Sequence, residues 1–121
     1  MLPAVTSYEL ELRETALGEI AFAEIAGELD LTNAEELARR LDELAAHAHP
    51  VVLDLNRLQF LDSAALHVLF ILARRLEGEG KRLGIVLEAA SPVARTISIV
   101  SFDEIATVGS SLDDVLVELR A

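Results

Sequence analysis

The sequence predicts an α/β domain: a mixed sheet of about five strands with about four α-helices packed on it. Three observations carry that prediction. A stretch near the start alternates apolar with charged residues, as a half-exposed strand does. Strand-like and helix-like segments then take turns to the end of the chain. Hydrophobic residues make up 52% of the sequence and aromatics only 4%, so the core must be built from Leu, Ile, Val and Ala.

Taken in order, Tyr8 to Glu14 has the period of two, and Leu17-Gly18 turns the chain into a second strand from Ile20 to Ala26. This hairpin ends at Gly27-Glu28-Leu29-Asp30. Thr32 and Glu35 match a capping box, in which the hydroxyl serves one free N–H and the Glu reaches back to another. The helix they open carries Ala34, Leu37, Ala38, Leu41, Leu44 and Ala45 on one face, and His49-Pro50 stops it. Val51 to Leu55 is a short apolar run of the kind found inside a sheet. A loop and a helix from Asp62-Ser63 to about Glu77 or Glu79 follow. Leu83 to Leu87 is another interior strand, and Ser91-Pro92 has the form of an N-cap with Pro in the first helical position. Ile105 to Val108 is the last strand. Ser111 and Asp114 cap a final helix with Leu112, Val115, Leu116 and Leu119. Residues 1–121 are expected to form one domain, with its core from about residue 8 to 119.

The bulk numbers exclude several functions. A formal net charge of -11 with no basic stripe disfavours nucleic acid and anionic membrane surfaces. There are no cysteines, so disulfides and thiolate chemistry are excluded. No targeting segment or membrane span is evident, and a soluble, cytoplasmic monomer is expected. His47, His49 and His67 share no metal-ligand spacing. Asp54 lies in an apolar strand with no Glu or His to complete a site with Asp62. No Ser lies beside a His in a nucleophile motif, and Gly78-Glu79-Gly80 is a turn, not a phosphate loop. No catalytic residue, metal or cofactor is expected. Arg74 and Arg75 are read as solvating a helix face and complementing its C-terminal dipole.

The informative stretch runs from Leu53 to Leu69, an interior strand followed by a helix whose first turn holds Asp62 and Ser63. Asp62 is a favoured N-cap, which puts Ser63 at a helix N-terminus beside a carboxylate. A phosphate on Ser63 would meet the positive end of the helix dipole and the negative charge of Asp62. The helix should turn Leu66, Leu69, Phe70, Ala73 and Leu76 inward. Ala64, Val68 and Ile71 then lie on the other side with Arg75, small and apolar, which fits equally a partner surface or a face covered by a neighbouring helix or the chain's own loops.

Val52 to Leu55, Phe60 to Leu66 and the earlier Gly27-Glu28-Leu29-Asp30 resemble the signature of STAS domains, specifically the bacterial anti-sigma factor antagonists. The resemblance extends from about Tyr8 to Leu119 and implies a mixed sheet of about five strands. It implies that Ser63 is phosphorylated by a partner kinase, and that Asp30 lies near that site and helps contact the partner. Asp62, Ala64, Ala65, Val68 and Ile71 complete the expected partner surface. The implied partners are an anti-sigma factor of the histidine-kinase-like ATPase type, which also phosphorylates Ser63, and a serine phosphatase that resets it. The alternative within the same resemblance is an accessory or scaffold subunit of a lipid-transport ATPase or a stress-sensing complex, with Ser63 unmodified. Family members often read Asp-Ser-Ser-Gly-Leu where this chain has Ala64 and Ala65 after Ser63. Ala64 removes an alternative phospho-acceptor, and Ala65 adds a Cβ where Gly would allow close approach. A late family Gly is replaced around Ser101-Phe102.

Overall fold

The computed structural model describes residues 9–17, 20–47 and 50–120. Five strands form one sheet whose spatial order is the order of the chain: β1 (Glu9–Leu17), β2 (Ile20–Leu29), β3 (Val51–Leu61), β4 (Leu83–Val86) and β5 (Ala106–Gly109). β2 to β5 are parallel, and β1 is antiparallel to β2 at one edge. Four α-helices connect and close the described strands: α1 (Ala34–His47), α2 (Ser63–Gly78), α3 (Ala94–Ile99) and α4 (Leu112–Leu119). A 3-10 turn, Phe102–Glu104, precedes β5. Tyr8, Gly18 and His49 lie outside the described residues.

Each crossover steps to the next strand in the same direction, so right-handed connections put α1, α2 and α3 on one face. Between that face and the helices lies the main core, with Leu37 and Leu41 from α1, Leu69 and Leu76 from α2, and Ile97 from α3 against Ile25, Leu53 and Ile85. Phe70 meets Phe102 edge to face, ring centres 5.0 Å apart, tying α2 to the 3-10 turn. α4 takes the other face, where Val115 packs with Ile20, Val52 and Val86. Gly84 allows this seating, because a Cβ there would lie 2.7 Å from Val115 Cγ1.

β3 is longer than expected. It does not stop at Leu55 but runs to Leu61, and two register shifts against β2 explain why the strand is hard to read. Glu24 pairs with Asp54 but Ala26 with Arg57, and Gly27 pairs with Leu58 but Glu28 with Phe60. Each shift adds one residue to β3, so the buried positions fall at Leu53, Leu55, Leu58 and Leu61 and lose the period of two. β2 likewise continues through Gly27, whose φ of 101° suits glycine alone, to Leu29.

Two expected caps are not formed. α1 starts at Ala34, so Asn33 and not Thr32 stands in its cap position, and the Thr32 hydroxyl donates to Asp30. α3 begins at Ala94 with no side-chain cap, and the Ser91 hydroxyl oxygen is buried without a partner among the described residues. At Ser111 the expectation matches: its hydroxyl accepts from Asp114 N at 3.1 Å. Where the family Gly is missing, Ser101 takes the left-handed conformation itself, φ 55° and ψ 43°. The turn is kept at the cost of strain a glycine would not carry.

Candidate functional site

The carboxyl ends of β2 and β3 lie side by side, and the loop after β2 meets the start of α2 there. Asp62 joins them. Its Oδ1 accepts from Ala65 N at 3.0 Å, the expected N-cap of α2. Its Oδ2 accepts from Leu31 N at 3.1 Å, thirty-one residues away in sequence. Its own N–H donates to Leu29 O at 3.1 Å. One carboxylate thus fixes both the helix that carries Ser63 and the loop that carries Asp30.

That loop is held from within as well. Asp30 Oδ1 accepts from the backbone N of Thr32 at 2.9 Å and from the Thr32 hydroxyl. Asn33, only 1% exposed, accepts from Asp30 N at 3.0 Å through its Oδ1 and donates from Nδ2 to Glu28 O at 2.9 Å. A buried amide satisfied on both sides makes the loop a fixed surface.

Ser63 is the first residue of α2 and is exposed. His67 and Ile71 follow it at intervals of four, so the three form one outward stripe along the helix. Ile71 is 54% exposed, as expected of a partner surface. Asp30, Asp62, Ala64 and Val68 are half-buried, and Val68 packs against the main core. Ala65 is a correction. It has no exposed surface, since the helix turns its Cβ into the core, and it cannot form part of a contact surface. Its effect in place of Gly is on packing under the helix.

Two exposed apolar residues missed by the sequence reading lie close in the chain to Asp30 and Asp62: Leu31 is 76% exposed on the loop bonded to Asp62, and Phe60 is 49% exposed near the end of β3. The available signal was an apolar residue on each side of a polar motif, Leu31 after Asp30 and Phe60 before Leu61-Asp62. Arg74 and Arg75 are engaged locally, Arg74 with Glu77 at 3.6 Å and Arg75 with Asp42 of α1 at 2.7 Å. Among the described residues no group of three or more His, Asp or Glu side chains could hold a metal ion, and no helix is long and apolar enough to cross a membrane.

The site offers one exposed hydroxyl at a helix N-terminus, the Asp62 carboxylate that caps that helix, and an exposed Leu31 on the loop bonded to that carboxylate. Known proteins share the fold that carries it. A family model described as "Mlab, STAS domain" matches residues 16–117. The crystal structure of an anti-sigma factor antagonist from Mycobacterium paratuberculosis superposes with a TM-score of 0.82 at 23% identity, covering 93% of this chain and 96% of that one. The anti-sigma factor antagonist SpoIIAA in its unphosphorylated form gives 0.63 at 20% identity, covering 91% and 96%. The Bacillus cell fate determinant SpoIIAA in its phosphorylated form gives 0.63 at 19% identity, covering 93% and 100%. Among curated protein sequences there is no significant match.

Proposed function

The chain belongs to the STAS domain family, and from that premise we propose that it is an anti-sigma factor antagonist switched by phosphorylation of Ser63. The observation that carries the reading is the double use of Asp62, which holds the Asp30 loop and caps α2 while Ser63 stays exposed between them. The unmodified protein binds an anti-sigma factor of the histidine-kinase-like ATPase type through Asp30, Leu31, Phe60, Ser63 and Ile71, and so frees the sigma factor. That partner phosphorylates Ser63, and a serine phosphatase reverses the step.

The physics favours a switch that needs no refolding. Phosphorylation adds roughly two negative charges. Asp62 already accepts the Ala65 N–H, so the phosphate gains less from the helix end than it would at an open one, and it stands beside a carboxylate. Bringing that dianion into a partner interface without a matching cation opposes binding. Neither Ala64 nor Ala65 can take the phosphate in place of Ser63.

The test is co-purification from the native host with Ser63→Ala and Ser63→Glu as baits. A small histidine-kinase-like ATPase held by Ser63→Ala and lost from Ser63→Glu is the expected result. The second reading is an accessory or scaffold subunit of a lipid-transport ATPase or stress-sensing complex. A transporter ATPase held equally by both baits would establish that reading and overturn the first.

A further inference from the structure

At the other end of the same sheet edge, β4 and β5 send their following segments to opposite faces. After β4 the chain reaches α3, whose Ile97 belongs to the main core, and after β5 it reaches α4, whose Val115 belongs to the smaller cluster. Neighbouring parallel strands whose connections part in this way leave a crevice at their carboxyl ends, and open α/β sheets bind ligands in such crevices. Here it holds about 600 Å³, within the range usual for small-molecule sites. Leu87, Ile97 and Val108 supply apolar wall, and Arg95, Ser98 and Ser110 supply donors.

Its lining carries one charge of each sign, on Arg95 and Asp103. Arg95 has no ion pair or side-chain hydrogen bond among the described residues. Asp103 also lines the crevice, but Arg82 is pinned against its turn by bonds to Asp103 O at 3.2 Å, Ala106 O at 3.2 Å and Thr107 Oγ1 at 2.9 Å. Arg82 does not line the crevice, so Arg95 is the one cation among its lining residues and Asp103 the one carboxylate, in a chain of net charge -11. An unpaired guanidinium beside an apolar wall suits a carboxylate with a hydrocarbon tail, taking two parallel N–H···O bonds at the head while the tail leaves water.

We propose that this crevice binds a small amphipathic carboxylate, its head on Arg95 and its tail along Leu87, Ile97 and Val108. The experiment titrates the full chain, labelled with ¹⁵N, with octanoate, octylammonium and octanol, following backbone amides. Octanoate should give saturable shifts centred on Ala89, Arg95, Ser98, Gly109 and Ser110, with octylammonium and octanol much weaker. Arg95→Gln should weaken octanoate about tenfold, as loss of a charged hydrogen bond does. Ser98→Phe, at an exposed position of α3 that lines the crevice, should fill it and remove the shifts. The amide spectra also report whether each variant is folded. Octanoate shifts that never saturate, shifts centred on Leu31, Phe60 or Ile71, equal binding of octylammonium, or affinity undiminished in either variant would overturn the proposal.

Discussion

The carboxyl edge of the sheet is built in two ways. At the β2–β3 end the segments leaving both strands stay on one side, and Asp62, Asp30 and Asn33 lace them together with hydrogen bonds. At the β4–β5 end the segments part, and a crevice stays open. The lesson is that connection geometry, more than residue type, decides which end becomes a fixed surface and which a container. A fixed surface suits recognition by a large partner, since little ordering entropy is lost on binding.

The comparison can be broken first at Asn33. Asn33→Ala leaves Asp30 N and Glu28 O without their side-chain partner in a buried place, and should lower the unfolding free energy in urea by about 2–3 kcal/mol. Gly84→Ala pushes α4 away from β4. A loss of about 2 kcal/mol is expected by the same measurement. Asp62→Ala removes a cap and frees Leu31 N, for about 1–2 kcal/mol. It should also weaken the anti-sigma partner more than Ile71→Ala does, measured by calorimetry, because it loosens the whole surface. Ser101→Gly has the opposite sign: relief of the left-handed backbone should raise stability by about 1 kcal/mol. Arg95→Gln should leave the urea midpoint unchanged, which would separate a ligand-facing cation from a structural one.

Much of this was legible from local rules. Asp62 and Ser111 cap their helices as their sequence positions suggest, because a cap needs only the three residues that follow it. What stayed hidden depended on distant partners. Thr32 fits a capping box, yet α1 starts one residue later, at Ala34, because the loop is folded around Asn33. The end of β3 was hidden by its bulges, which break the alternation that identifies a strand. Ala65 reads as a surface residue although α2 turns it inward, and exposed Leu31 gives no local signal because the hydrogen bond from its N–H to Asp62 spans thirty-one residues.

The strand order has a consequence for how the chain folds. Ala21 pairs with Val51, Val52 with Gly84 and Leu83 with Ala106, so every ladder joins a strand to its predecessor in the chain. No pairing waits for a distant segment, which keeps loop-closure entropy low at each step. On a ribosome the sheet can therefore grow strand by strand from the N-terminal hairpin, with α4 arriving last to cover the second face.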